Sequence, residues 1–560
     1  MIAAALLLCV GLLATPASAQ RNVLFLIADD VGVDNVAVYG EHPDPARTPV
    51  IDQLAADGML FRRAYGNPTC SPTRATILTG RYSWRTGLGL ALSQFASDRL
   101  KASEVTMAEV LAPTHRTAAV GKWHLGPDPA HPIQMGFEHH WGTLNNFGSG
   151  IGGDYDDYAK NIDGVTVQST TYATTDTVDD ALTLIDSFGA DPWFLWVAFH
   201  AAHTPFHKPP ANLHTYNLPA QVEGNEPIHS KAMIEALDTE IGRLLANLDP
   251  ATRANTLVVF LGDNGPVAQA VTPPWDPTKV KTTIYEGGIR LPFIVSGPGV
   301  PPGTEVDGLV NSTDLFSTIA EYLSLETSSN VDSVSLVPYF SDPGQDPLRE
   351  FAFSESFLPN FGDVFVEREI AAMDEQFKLV QTFGTAAVVP SEEQLYDLAA
   401  DPYETVNLLE QPLSFAASQA HLDLGLVLQQ QGPVILPGPW ALLGGGTLGF
   451  TGPPVLLGGG TLKAGSLAGI RLLNAPPNAL VLASLSLAPY PLEAYGGGLT
   501  ATPSAFQMLA FADGTGQLLA GLTWPPGFAP GTGIYFQCLI ADPSVPWGVT
   551  LSNALKGTTE

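Results

Sequence analysis

Residues Asn22-Val23-Leu24-Phe25-Leu26-Ile27-Ala28 form an unbroken apolar run. That is the pattern of a strand covered on both faces in a parallel sheet, since a half-exposed strand would alternate apolar with polar residues. Similar runs return at Thr117–Val120, Trp193–Phe199, Thr256–Leu261 and Phe293–Ser296. Between them, Thr48–Ala55 and Ile234–Leu248 carry apolar residues at helical spacing. This alternation predicts an α/β fold, a mostly parallel sheet sandwiched by helices. Beyond Gly432-Pro433 the pattern changes to short apolar segments broken by Gly and Pro. A local repeat sets Leu442-Leu443-Gly444-Gly445-Gly446-Thr447-Leu448 against Leu456-Leu457-Gly458-Gly459-Gly460-Thr461-Leu462. Strands and turns at this spacing predict an all-β, sandwich-like C-terminal domain, with Ile534–Ile540 its clearest strand.

The length, 560 residues, predicts two to four domains at about 150 residues each. Lys and Arg number 25 and Asp and Glu 56, a net charge of −31. So acidic a surface repels polyanions, which argues against nucleic acid or an anionic bilayer as the main partner. The charge is unevenly spread. From Gln411 onward there are three basic and five acidic residues, leaving 22 and 51 in the preceding 410. The shift supports a domain boundary near Gly432. Three cysteines (Cys9, Cys70 and Cys538) are too few for a disulfide scaffold or a cysteine-rich zinc module. The apolar stretch Ile2–Leu13, followed by Ala17-Ser18-Ala19, reads as a signal peptide over residues 1–19, although its start carries no Lys or Arg. The expected destination is periplasmic or secreted. No later stretch is apolar for the roughly 18 residues a membrane span needs.

In parallel α/β sheets, ligands bind beyond the carboxyl ends of the strands. Four of the predicted strands run into polar residues there: Asp29-Asp30, Gly121-Lys122-Trp123-His124, His200 with His203, and Asp263-Asn264-Gly265. Each alone is also what a helix cap or tight turn looks like. Asp29, Asp30, Asp263 and Asn264 offer only oxygen, which suits Ca2+ or Mg2+ better than Zn2+. In Cys70-Ser71-Pro72-Thr73-Arg74, Pro72 suits a first helical turn and Gly80 a helix end. Cys70 then sits at a helix N-terminus that favours an anion, with Arg74 one turn on along the same face.

These residues resemble the type I sulfatases of the alkaline phosphatase superfamily. Cys70-x-Pro72-Thr73-Arg74, followed by Leu78-Thr79-Gly80-Arg81, is similar to the family motif whose cysteine becomes formylglycine. Asp29-Asp30-x-Gly32 with Tyr39-Gly40, Gly121-Lys122-Trp123-His124-Leu125-Gly126 and Asp263-Asn264-Gly265 are similar to further family blocks. So are Lys281 with Tyr285-Glu286-Gly287-Gly288 and Leu395-Tyr396-Asp397-Leu398 with Asp401-Pro402. The matches run in order from about residue 21 to 410. Thr73 stands where Ser is commoner, a change that keeps the hydroxyl.

The change in composition leaves a Gly/Pro-rich accessory domain over 433–560. The resemblance implies a sulfatase catalytic domain over 20–330 and a smaller subdomain with an antiparallel sheet over 331–432. It implies hydrolysis of sulfate esters, on aryl or carbohydrate substrates, by a hydrated formylglycine formed from Cys70. Ca2+, ahead of Mg2+, would be held by Asp29, Asp30, Asp263, Asn264 and the side chain at position 70. Arg74 would hold the diol, Lys122 and Lys281 the sulfate. His203, also a substrate contact, would protonate the leaving alcohol, and His124 would take the proton that releases sulfate. Maturation would require a formylglycine-generating enzyme. His139, His140, His200 and His207 are read as solvated or supporting, and Asn145–Tyr158 as a substrate-selecting loop. Two other readings are a phosphodiesterase or phosphonate monoester hydrolase of the same superfamily, and a non-catalytic glycan-binding protein on a sulfatase scaffold.

Overall fold

The computed structural model describes residues 21–93, 97–148, 153–327, 332–361, 366–384 and 390–431, with strands and turns in segments between 440 and 559. The proposed leader lies outside the described residues. The chain divides into two compact units, the first ending at Arg349 and the second starting at Glu350.

The first unit is built on ten strands: β1 (Asn22–Ala28), β2 (Met59–Tyr65), β3 (Arg116–Lys122), β4 (His139–Thr143), β5 (Tyr158–Ile162), β6 (Val165–Ser169), β7 (Trp193–Ala198), β8 (Thr256–Gly262), β9 (Arg290–Ser296) and β10 (Thr304–Asn311). They lie in the order β10-β2-β9-β8-β1-β7-β3-β4-β5-β6. The five central strands, β8-β1-β7-β3-β4, are mutually parallel. β1 is at the middle, with Leu24 opposite Leu195 on one side and Val258 on the other. Its residues from Val23 to Ala28 are fully buried, which is why the run contains no polar position.

The flanks make the sheet mixed. β9 runs antiparallel to both β8 and β2, and β5 runs antiparallel to β4 and β6. The apolar run Phe293–Ser296 therefore reported burial on both faces and not direction, because hydrophobic burial is blind to strand polarity.

Helices pack onto this sheet. Ala173–Phe188 lies on β3 and β7 and against Glu226–Asn247, while Pro49–Ala56 lies on β9. The helix Glu226–Asn247 starts two turns before the periodicity at Ile234 suggests. Pro227 sits in its first turn, where the missing N–H leaves no bond unmade. Cys70–Thr79 ends at Gly80, whose φ of 66° is the left-handed conformation that glycine adopts cheaply.

The second unit opens with an antiparallel sheet of β11 (Ala352–Leu358), β12 (Glu367–Met373), β13 (Phe377–Phe383) and β14 (Glu392–Asp397). Helix Phe415–Gln430 covers β12 and β13. Among the described residues after 440 every strand pairing is antiparallel, in sheets of six, three and two strands. The two copies of the Leu-Leu-Gly repeat enter different sheets, Trp440–Gly444 in the six-stranded one and Val455–Gly460 in the three-stranded one. Val481, Ile534, Phe536, Cys538 and Ile540 form the core there.

Candidate active site

The carboxyl ends of β8, β1, β7 and β3 are adjacent in the sheet, so residues far apart in sequence meet there. Backbone bonds tie these ends together. Asp29 N donates to Ala201 O at 3.0 Å, Ala202 N to Asp29 O at 2.6 Å, and Asp263 N to Ala28 O at 3.0 Å. Asp30 and His124 hold φ of 60° and 54°, sparsely populated for residues with a Cβ. Such backbone strain persists only where the surroundings over-determine it, and it clusters at functional sites. Two glycines permit the close approaches. A Cβ on Gly121 would lie 2.0 Å from Ala198 O, and one on Gly265 would lie 1.8 Å from Gly287 O. Lys281 is presented by a turn pinned on both sides: Lys281 N donates to Pro266 O and Thr282 N to Pro68 O.

The Cys70 helix begins inside this ring. Thr73 Oγ1 accepts from Asn67 N at 2.8 Å, so the hydroxyl that replaces the commoner serine fixes the approach to the helix. Cys70 Sγ lies 3.1 Å from His124 Nδ1. One ligating atom from each of Asp29, Cys70 and Asp263 lies within 4.8 Å of the other two, and the same holds for Asp29, Asp30 and His203. Asn264 joins them by donating from Nδ2 to Asp30 Oδ1 at 2.7 Å. All the residues predicted for the site are thus brought together. Asp29, Cys70, Arg74, Asp263 and Asn264 are fully buried, whereas His203 and Lys281 are only partly so.

Charge in the site is paired. Lys122 bonds Asp29, Lys281 bonds Asp30, and Arg74 bonds Asp263 through Nε at 2.8 Å and a terminal nitrogen at 2.7 Å. Arg74 also donates to Lys122 O at 2.6 Å. Its Nε and Nη1 are therefore engaged by Asp263 and a carbonyl, a tie that helical spacing from Cys70 could not reveal. Three carboxylates face three cations, and the cluster is close to neutral.

Burial pushes the Asp29 carboxyl up, but Lys122, His203, Arg74 and Lys281 together outweigh it and hold the group well below the usual carboxylate range. Burial and the neighbouring charge of Asp29 push Asp263 up to about 6. Burial, then the charges of Lys122 and Arg74, drive His124 well below its ordinary value, and burial with Lys281 lowers His203. Burial also raises the Cys70 thiol, so the encoded cysteine is a poor nucleophile near neutrality.

Despite this pairing, three buried acceptors of the proposed ligand residues have no hydrogen-bond partner among the described residues: Asp29 Oδ1, Asp30 Oδ2 and Asn264 Oδ1. Leaving buried oxygens unmet costs on the order of 1–3 kcal/mol each. An all-oxygen donor set with unsatisfied lone pairs fits a hard divalent cation.

Residues 21–325 match the sulfatase family model, and residues 279–431 match the model for the C-terminal part of N-sulphoglucosamine sulphohydrolase. The chain belongs to the sulfatase family. It is a sulfuric ester hydrolase. This sulfatase is 32% identical over 370 residues to N-acetylgalactosamine-6-sulfatase of Sus scrofa, covering 59% of this chain and 67% of the relative. It is 29% identical over 434 residues to arylsulfatase A of Homo sapiens, covering 69% and 83%. The solved structure of Ps i-CgsB in complex with k-i-k-neocarrahexaose shares the fold, with a TM-score of 0.62 at 23% identity over 73% of this chain and 92% of that one.

The four histidines set aside from the sequence divide by position. His139 bonds Asp163, and His140 lies buried against Asn161. His200 is buried, with Nε2 2.7 Å from Thr143 Oγ1 and its ring stacked on Phe147 at 4.0 Å. His207 packs on Tyr155 at 4.1 Å. The Tyr155 hydroxyl reaches both His200 O and His203 O at 2.7 Å. Part of the Asn145–Tyr158 loop, residues 149–152, lies outside the described residues, but Tyr155 within it buttresses the His203 turn. Sequence spacing offered no sign of that support. Among the described residues, no helix is long and apolar enough to cross a membrane.

Proposed function

We propose that this sulfatase acts on carbohydrate sulfates, with Cys70 converted to formylglycine and a divalent cation, Ca2+ ahead of Mg2+, held by Asp29, Asp30, Asp263, Asn264 and the oxygen at position 70. The observation that carries this reading is the trio of buried oxygens on Asp29, Asp30 and Asn264 that lack a partner among the described residues, with Asp29 clustered both with Cys70 and Asp263 and with Asp30 and His203. When bound, the cation supplies positive charge that polarises a sulfate oxygen and favours deprotonation of a neighbouring hydroxyl.

The chain's own residues divide the remaining work. Lys122 and Lys281 exchange their carboxylate partners for sulfate oxygens, placing positive charge where negative charge spreads in the transition state. Arg74, one helical turn from position 70 and anchored on Asp263 and Lys122 O, holds the diol. His203 Nδ1 lies 2.7 Å from Thr204 O, an acceptor only, so Nδ1 keeps its hydrogen. Nε2 is then the atom that, in the imidazolium form, delivers a proton to the leaving alcohol. His124 Nδ1, beside position 70, is the base that releases sulfate.

The carbohydrate assignment draws on the N-acetylgalactosamine-6-sulfatases among the relatives. Residues 1–19 are proposed as an export signal for a periplasmic or secreted enzyme, matured by a formylglycine-generating enzyme. Domains over 20–330, 331–432 and 433–560 carry catalysis, the smaller subdomain and an accessory role.

The test is mass spectrometry of the Cys70 peptide from a host that supplies the maturation enzyme, with turnover of sulfate and phosphate esters measured with and without EDTA. Formylglycine, sulfate preference and loss of turnover in EDTA are expected. An intact thiol with no turnover supports the glycan-binding reading, and phosphate preference supports the phosphodiesterase.

A further inference from the structure

Ser71 follows the reactive position in the chain and is fully buried. Its hydroxyl donates to His124 O at 2.8 Å and accepts from Leu92 N at 3.0 Å. The same two residues meet a second time, with His124 Nε2 3.0 Å from Leu92 O. One hydroxyl therefore closes a ring joining the Cys70 helix, the segment around Leu92 and the turn after β3. A carbonyl oxygen only accepts, so the contact to Leu92 O requires the hydrogen to be on Nε2. The neutral imidazole then has its lone pair on Nδ1, the nitrogen 3.1 Å from the side chain at position 70. Without the hydroxyl, Leu92 loses its tether to the Cys70 helix, which loosens the Nε2 contact and opens the other tautomer to the ring. A buried side chain of two heavy atoms thereby controls which nitrogen faces the reacting group.

We propose that Ser71 is a positioning residue for the second half of the reaction: it holds Leu92 O against His124 Nε2–H so that Nδ1 faces position 70 as a base. This rests on the formylglycine reading above. In that half reaction Nδ1 takes the proton of the free hydroxyl at position 70. The O–H electron pair becomes the second bond of the re-formed C=O. The bond between that carbon and the sulfate-bearing oxygen breaks, and its electron pair leaves on sulfate. The first half, in which His203 protonates the departing alcohol, makes no use of His124 Nδ1.

The step specificity gives the test. Ser71→Ala and Ser71→Thr are matured alongside wild type, and formylglycine content is measured by mass spectrometry so that rates refer to converted enzyme. With an activated aryl sulfate, Ser71→Ala is expected to lose about 10–100-fold in kcat with KM falling by a similar factor, leaving kcat/KM nearly unchanged. Rapid mixing should show phenol released ahead of sulfate by one equivalent per site. Ser71→Thr, which keeps the hydroxyl, should restore wild-type kinetics. Imidazole 15N spectra of unconverted protein, in which Cys70 is intact, provide a readout independent of turnover. The His124 signals should report a hydrogen on Nε2 in wild type and a tautomer mixture in Ser71→Ala.

An equal fall in kcat and kcat/KM without a burst, or a His124 tautomer unaffected by Ser71→Ala, overturns the proposal while leaving the sulfatase mechanism intact. Wild type that stays unconverted and inactive overturns the mechanism, and this inference with it.

Discussion

Replacing Arg74 by Met removes the cation from a fully buried ion pair of the site and keeps most of the side chain's volume. Both partners of the Arg74–Asp263 pair are fully buried and meet at 2.7 Å, so the carboxylate left behind has no water to turn to. Breaking such a pair costs about 3–5 kcal/mol, a large part of the roughly 5–15 kcal/mol that holds a domain folded. The deficit should depend on pH. Asp263 already titrates at about 6, pushed up by burial and by Asp29, against about 3.9 for an unfolded carboxyl. Between those values the folded chain holds a proton that the unfolded chain has lost, so stability falls as pH rises.

Without Arg74 the folded-state pKa moves higher still, and that fall continues above pH 6. The gap between wild type and Arg74→Met should widen by up to about 1.4 kcal/mol per pH unit from pH 6 to 8. It should narrow towards pH 5, where Asp263 is protonated in both proteins. Urea unfolding of the two full-length proteins in EDTA at pH 5, 6, 7 and 8 measures it. A deficit below about 1 kcal/mol at pH 8, or one that stays constant over the range, would refute the reading that the Arg74 cation helps hold Asp263 ionised in the buried site.

Cys70→Ala should abolish hydrolysis while leaving the unfolding midpoint near wild type, since among the described residues the thiol's one hydrogen-bond contact is His124 Nδ1; circular dichroism and sulfate release check the two halves. For His203→Ala the loss in kcat/KM should grow with the basicity of the leaving alcohol, because activated aryl sulfates need little protonation. Equal losses on aryl and alkyl esters count against the proton-donor role. Titrating Ca2+ into EDTA-treated enzyme should raise the melting temperature, by an amount equivalent to about 2.7 kcal/mol at a hundredfold excess over Kd. Asp30→Asn should shift that titration to higher concentration, and an unchanged curve argues against Asp30 as a ligand.

Much of this site was legible from the chain because local patterns carry local information. The apolar run at Asn22–Ala28 could only be a strand covered on both faces, and polar residues at its end had to emerge at the sheet's carboxyl edge. Pro72 and Gly80 bracketed a helix, and Asp29, Asp30, Asp263 and Asn264 declared an oxygen-donor set by their chemistry alone. What stayed hidden depends on atoms placed within about 3 Å of each other by the fold. The direction of β9 is set by its route back to the sheet and not by its apolar content. Arg74 looked one turn away from Cys70, but its partner is Asp263, 189 positions along the chain. His124 gains a defined tautomer only because Leu92 O, 32 positions earlier, lies against Nε2. Hydrogen bonds and buried ion pairs are short-ranged and directional, so the residue types announce which chemistry is available while tertiary packing alone decides which pairs form.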